Sequence, residues 1–209
     1  MSRPETSPAT ITLAFDTSAA HCAAALLLPG RVLLRREEMA KGQAERLMPL
    51  LEELLAEAGI GWRDLTRIAV GTGPGNFTGI RIAVAAARGL ALGLGIPAIG
   101  VTRLEALAHG LPRPLTVVED ARRGEIYLQR FLEESADPAR LVPAGTRLPG
   151  GALTGSAAGP GGLSPAMPLA EAMARIGAAR APGPRPAPFY LRGADAAPPA
   201  DPPPVILDA

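Results

Sequence analysis

The run from Ile68 to Arg81, Ile-Ala-Val-Gly-Thr-Gly-Pro-Gly-Asn-Phe-Thr-Gly-Ile-Arg, constrains the fold more than any other part of the chain. A short apolar stretch, Ile68 to Val70, breaks into a loop holding Gly71, Gly73, Pro74 and Gly75. Regular structure resumes near Phe77 as a helix rich in small side chains. Glycines between a strand and a helix permit tight turns and close backbone approach. The N-terminus of the following helix offers unpaired N–H groups and a positive dipole end that suit an anion. No Lys-Ser/Thr pair follows the glycines, so this is not a Walker A loop. Asn76 stands where the dinucleotide pattern requires its last glycine. The loop chemistry is equally that of a phosphate-holding strand–loop–helix and of a tight βα connection without a ligand.

A chain of 209 residues can build one large domain or two small ones. Folding at this size buries roughly 70% of the unfolded surface. Aromatic residues make up only 3% of the chain, so Leu, Ala, Val and Ile must form the core. Lys plus Arg (21) nearly balances Asp plus Glu (20), which argues against a protein that grips nucleic acid unaided. The single cysteine, Cys22, excludes an internal disulfide and fits a reducing compartment. No uninterrupted apolar run reaches about 18 residues, and the N-terminus lacks an apolar leader core. The expectation is a soluble, cytoplasmic protein that does not use a membrane.

Thr10 to Phe15 alternates, with Ile11, Leu13 and Phe15 on one face, and reads as a half-buried strand. Asp16-Thr17-Ser18 forms a polar turn; Cys22 to Leu28 and Val32 to Glu38 supply two more strands, giving an antiparallel meander. From Gln43 to Ala58 the period becomes helical. Leu47, Leu50, Leu51, Leu54, Leu55 and Ala58 form one apolar stripe, and Gly59 ends it. A fourth strand (Ile68 to Val70), a second helix (about Thr78 to Leu94) and a fifth strand (Ile96 to Val101) complete the order β-β-β-α-β-α-β. This implies an α/β fold with a mixed sheet flanked by helices, matching the ribonuclease-H-like core of actin, sugar kinases and heat-shock ATPases. Leu115 to Val118 and Ile126 to Leu132 repeat the first hairpin as a second lobe begins. Most of the 23 prolines then crowd after Glu134, leaving room for one helix (Pro168 to Ala179) and a Pro-rich tail from Pro182, extended or mobile. The domain reading is an N-terminal lobe to about residue 106 and a reduced C-terminal lobe beyond it.

Four ordered motifs then point to one family. Ala14-Phe15-Asp16-Thr17-Ser18, Glu45-Arg46-Leu47-Met48-Pro49-Leu50, Gly73-Pro74-Gly75-Asn76-Phe77-Thr78-Gly79-Ile80-Arg81 and Asp120-Ala121-Arg122-Arg123-Gly124-Glu125-Ile126-Tyr127 resemble the bacterial TsaB (YeaZ) proteins. The likeness covers roughly residues 11 to 130, with an echo at Pro188-Phe189-Tyr190-Leu191-Arg192. It implies a non-catalytic subunit paired with TsaD, the metal-bearing subunit that transfers a threonylcarbamoyl group to adenosine 37 of tRNA. The ATPase TsaE would complete the assembly, and tRNA would be met only through the complex. One departure is Gln43-Ala44, where many relatives read His-Ser. Ala cannot cap a helix start, though Gln keeps one hydrogen bond.

Residue chemistry is consistent with a subunit lacking catalytic groups. His21 and His109 are the only two histidines and are far apart, so no i, i+4 metal pair exists. Ser18 has His21 near it but no evident orienting acid. Asp16-Thr17-Ser18, Gly73-Pro74-Gly75 and Asp120 are the candidate nucleotide site, since Asp16 and Asp120 facing across a cleft could hold Mg²⁺ and ATP or ADP. The same residues are also ordinary turn formers, so no cofactor is expected on the chain alone. The second helix is apolar nearly all round, with Arg81 and Arg88 its only charges. Gln43, Leu47, Leu50, Leu51 and Leu54 of the first helix, with Thr78, Arg81, Val84 and Arg88 of the second, are the expected face for TsaD or a second copy. Arg122 and Arg123 make a small basic point, a tRNA contact or plain solvated surface. The competing readings are a stand-alone actin-like ATPase or small-molecule kinase, with Gly159 to Gly162 as its weak adenosine motif, and a peptidase.

Overall fold

The computed structural model describes residues 10–192. Its first sheet contains β1 (Thr12–Asp16), β2 (His21–Leu28), β3 (Arg31–Glu38), β4 (Arg67–Gly71) and β5 (Ala98–Val101), in the order β3-β2-β1-β4-β5. The first three strands form the expected antiparallel meander, and β4 and β5 join it in parallel. Parallel pairing needs crossovers, which α1 (Gln43–Ala58) and α2 (Phe77–Leu94) supply. A short helix, α3 (Arg103–Ala108), leads into a second sheet of β6 (Leu115–Asp120), β7 (Glu125–Phe131), β8 (Arg140–Pro143) and β9 (Ala152–Thr154). Its order, β8-β7-β6-β9, repeats the first four positions of the first sheet, as a duplicated fold should. The chain then enters α4 (Leu169–Ala179) and a strap without regular structure.

The leucine stripe of α1 belongs to the subunit's own core. Leu50, Leu51 and Leu54 are fully buried and Leu47 nearly so, in one cluster with Phe15, Leu26, Ile68 and Ile80. Val84 lies in the same cluster. These five residues therefore cannot form the partner face expected of them. A helix lying on a sheet must first cover that sheet, and the leucine face of α1 is consumed in doing so. Outward on α2 are Thr78, Arg81, Ala85, Arg88, Gly89 and Leu92. At a mean hydropathy of 1.4, α2 is long and apolar enough to cross a membrane by length and composition. Here Ile80, Ala83, Val84 and Ala87 form its buried side.

β1 is buried on both faces, not half-buried as its alternation suggests. The reason lies at the far end of the chain, because α4 packs on the opposite face of the sheet, against β1, β2 and β4. Ala14, Ala23, Ala25 and Ala69 meet Ala170, Ala172, Met173 and Ala174 there. Small residues on both sides bring helix and sheet close: a Cβ placed on Gly177 would lie 2.5 Å from that of Ala69. Arg67 fastens the contact, its Nη1 donating to the carbonyls of Gly177 (3.3 Å) and Arg180 (2.5 Å). The helix assigned to the second lobe thus completes the first, and the expected boundary near residue 106 falls within α3. The described part of the Pro-rich tail is a strap on the first sheet, where Pro186 is buried and the Phe189 N–H donates to the Thr72 carbonyl (2.8 Å). The remainder of that tail lies outside the described residues.

Gly177→Val should overpack the α4 contact and cost about 1–3 kcal/mol. In a thermal melt this should appear as a Tm lower by roughly 3–10 °C. An unchanged Tm would mean that α4 does not sit so close.

Candidate functional site

Parallel strands of such a sheet gather ligands at their C-terminal ends. The Asp16–Ser18 turn leaves β1 there, and the glycine loop leaves the neighbouring β4. The two loops are seated on each other. Thr17 Oγ1 donates to the Gly79 carbonyl (2.6 Å) and the Asn76 N–H donates to the Ser18 carbonyl (2.6 Å). A Cβ on Gly75 or Gly79 would overlap the Ser18 or Thr17 carbonyl, so glycine at these positions serves backbone contact. Asn76 caps α2, its Oδ1 accepting from the Gly79 N–H (2.9 Å). Of the expected phosphate-holding residues, Asp16, Thr17, Ser18, Gly73 and Pro74 are buried, and only Gly75 is exposed.

Asp16 collects most of the polarity. Its Oδ2 accepts from the Ser18 N–H (3.2 Å) and hydroxyl (2.9 Å) and pairs with His21 Nε2 (2.9 Å). Its Oδ1 is buried without a hydrogen-bond partner, as is Arg103 Nη1. Burial pushes the Asp16 carboxyl upward. The hydrogen bond and charge of His21, then the Arg103 charge and the Ser18 hydroxyl, outweigh it and hold the group below its ordinary 3.8. Sequence reading finds no orienting acid beside Ser18 and His21, yet Asp16 is that acid, since residues 16 and 21 flank one hairpin turn. The connectivity is nevertheless wrong for a serine hydrolase. A relay needs imidazole between hydroxyl and carboxylate, whereas here the carboxylate stands between the hydroxyl and the imidazole.

From the second lobe, Glu119 is the residue that turns inward. Its Oε2 accepts from Arg103 Nε (2.6 Å) and its Oε1 from the Ser156 N–H (2.6 Å), and the side chain is almost fully buried. Arg103 also donates its backbone N–H to the Gly73 carbonyl (2.8 Å), so it ties the glycine loop to β6. Asp120 is exposed, and its Oδ1 accepts from the Arg122 N–H (2.8 Å) within its own turn. Successive side chains on a strand point to opposite faces, so Glu119 and Asp120 cannot both face the cleft. The structure therefore does not set Asp120 opposite Asp16. Arg122, Arg123 and Gly124 take consecutive left-handed conformations (φ 61°, 55° and 73°), which place the two arginines at an exposed hairpin tip. Gly159 and Gly162 close a tight turn on each other (3.1 Å).

The remaining titratable groups are held in the fold. Burial, then the charge of Glu37, pushes the Cys22 thiol up to about 11. Burial, then the charges of Arg175 and Arg113, lowers the His109 pKa. Among the described residues no three His, Cys, Asp or Glu side chains gather as a metal site would require. Of the expected partner face, Thr78, Arg81 and Arg88 are exposed, and Gln43 is half-buried with its Nε2 donating to the Met39 carbonyl (3.2 Å). Sequence reading missed a surface cluster at the start of α2. Phe77 and Tyr190 stack with centroids 4.9 Å apart, the Arg81 guanidinium lies 3.8 Å over the Phe77 ring, and Arg81 Nε donates to the Tyr190 hydroxyl (3.0 Å). Tyr190 is 109 residues from Arg81, so no local pattern marks the contact.

A family model described as "TsaD: tRNA N6-adenosine threonylcarbamoyltransferase" matches residues 36–141. The tRNA threonylcarbamoyladenosine biosynthesis protein TsaB of Escherichia coli is 38% identical over 125 residues, 57% of this chain and 54% of that protein. The chain thus spans about half the length of the curated TsaB relatives from E. coli and Haemophilus influenzae that it matches. An uncharacterized protein of Mycobacterium tuberculosis is 34% identical over 198 residues, 89% of this chain and 93% of the relative. Among solved structures, an uncharacterized protein with similarity to peptidase YEAZ from Pseudomonas aeruginosa superposes with a TM-score of 0.73 at 29% identity, covering 88% of this chain and all of that one. YeaZ from Pseudomonas aeruginosa gives a TM-score of 0.61 at 33% identity, over 70% of this chain and 75% of that one.

Asp16 makes the stability of the fold depend on acid. A carboxyl held below its ordinary value contributes stability that is present above pH 3.8 and lost as pH falls through its folded value. Asp16→Asn should therefore lower Tm at neutral pH and flatten the loss of Tm below pH 3.8 relative to the parent chain. Parallel acid curves for the two proteins would contradict the assignment.

Proposed function

This chain belongs to the TsaB (YeaZ) family, and on that premise we propose that it serves the formation of N6-threonylcarbamoyladenosine in tRNA as a subunit that performs no chemistry itself and supports a TsaD-type catalytic subunit. The observation that carries this reading is a contrast between the ends of the strands and the back of α2. At the strand ends most polar groups are engaged with one another, Asp16 with Ser18 and His21, Thr17 with Gly79, and Arg103 with Glu119, leaving only Asp16 Oδ1 and Arg103 Nη1 of these side chains buried and unpartnered. The seat between the glycine loop and the β1 turn leaves the buried phosphate-turn residues facing backbone instead of open space. The back of α2, by contrast, presents Thr78, Ala85, Gly89 and Leu92 as one stripe, and Leu92 is 77% exposed. The small Ala85 and Gly89 let a second helix approach closely, and an apolar helix face of this kind calls for cover.

In this reading the metal and the transfer chemistry belong to the TsaD-type subunit, and an ATPase of the TsaE type completes the assembly. ATP or ADP with Mg²⁺ is held within the complex, and tRNA is reached through it in the cytoplasm. A second copy of the chain is the alternative occupant of the α2 stripe. Leu51 and Val84 are buried in the core, so the contact is to be broken at exposed positions of α2.

Reconstitution tests the proposal. TsaD, TsaE, tRNA, ATP and a source of threonylcarbamoyl-adenylate should form modified tRNA with this chain present and not without it. Ala85→Asp should abolish co-elution with TsaD and reduce product formation by at least roughly tenfold, with the Tm of the isolated chain unchanged. Full activity without the chain, or turnover of ATP or peptide by the chain alone, would defeat the reading.

A further inference from the structure

The C-terminal strap and α2 run side by side. Gly183, Arg185 and Pro186 lie beside Arg88, Leu92 and Gly95, while Tyr190 reaches Phe77 and Arg81 at the other end of the helix. From Leu92 back to Phe77 a helix covers about 22 Å, and seven extended residues from Gly183 to Tyr190 cover about the same length. The two segments are therefore antiparallel walls of one trough. Its wider end is a cavity of about 480 Å³ floored by Ala91, Leu92, Ile96, Pro97 and Pro186. Its narrow end is the Phe77–Tyr190 stack, with the two rings 41% and 39% exposed.

The charge of this trough has one sign. Arg81, Arg88 and Arg185 are exposed along it, and none has a carboxylate partner among the described residues. Seven other arginines (Arg35, Arg36, Arg46, Arg103, Arg175, Arg180 and Arg192) pair with acids, while Arg31, Arg67 and Arg113 donate to backbone carbonyls. Among the described residues no Asp or Glu lines the cavity. Arg81 and Arg88 are seven residues apart, so they project on one side of α2 about 10 Å from each other.

We propose that this trough is a docking site for an extended segment of a protein partner in which carboxylates alternate with aliphatic side chains. The guanidinium groups would take the carboxylates and the apolar floor would take the aliphatic side chains. A single RNA strand fits less well. It needs free ring faces on which bases can stack, and here the two rings stack on each other while Arg81 covers Phe77. The trough shares Gly89 and Leu92 with the outward stripe of α2, yet peptide binding by the isolated chain can fail without the tRNA-modification reading failing.

The test is fluorescence anisotropy on the full chain with three labelled probes: an alternating Glu-Leu decapeptide, the corresponding Lys-Leu decapeptide, and a ten-nucleotide polyuridylate. The Glu-Leu peptide should bind and the Lys-Leu peptide should not. The double variant Arg88→Glu, Arg185→Glu should weaken binding by roughly tenfold or more, and Leu92→Asp should do the same through the floor. All three positions are exposed, so each variant should keep the parent Tm. Failure of the Glu-Leu peptide to bind, an affinity untouched by both variants, or tighter binding of polyuridylate would overturn the proposal.

Discussion

The seating of the Asp16–Ser18 turn on the start of α2 is the contact on which the rest of the structure depends. Two backbones meet there with no side chain between them, because Gly75 and Gly79 have none to interpose. The hydroxyl of Thr17 and the amide of Asn76 lock the meeting. It fixes β1, β4 and α2 relative to one another at a single point, and it directs Ile80, Ala83, Val84 and Ala87 into the core. The outward side of α2 is then determined by helix periodicity. Arg103 extends the same arrangement to the second lobe, by way of Gly73 on one side and Glu119 on the other.

Elements governed by local periodicity were legible in the sequence. The stripe of α1, the Asn76-capped start of α2 and the three-strand meander lie within a residue or two of where spacing puts them. What could not be read was the choice of partner across long separations. Nothing near β1 announces that α4 covers its second face, so a strand with alternating pattern turned out buried throughout. By spacing alone the leucines of α1 suit a partner's surface as well as the sheet they cover, and only the tertiary fold decides between the two. In the candidate site Glu119 turns inward where Asp120 is expected: which of two neighbours faces the cleft depends on the pleat of β6, and Arg103 gives no local sign of its role. Phe77 and Arg81 gain their meaning only through Tyr190, brought alongside by the strap.

The two edges of the first sheet are managed differently. β3 is guarded by charge, with Arg35, Arg36, Glu37 and Glu38 in succession. Arg46 grips Glu37 and Glu53 together and so ties this edge to α1. Hydrogen bonding to Arg46 lowers the pKa of both carboxyls. Each exposed pair adds little by itself, because water screens it, but a charged edge discourages pairing with other strands. At the other edge the strap lies along β5: Arg180 donates to the Gly100 carbonyl (2.8 Å) and Pro186 packs beside Gly100. Proline suits that position, since it covers an edge without offering a further strand.

The route by which α4 returns to the first sheet bears on how the protein is born. Arg67 and Gly177, which meet across that face, are 110 residues apart. A ribosome adding roughly 5–20 residues per second needs on the order of 5–20 seconds to make that stretch. Throughout that interval the alanine-rich side of β1, β2 and β4 is synthesised but uncovered. A nascent chain stalled before α4 emerges is therefore a natural client for chaperones, and the native sheet is sealed only once α4 has been made.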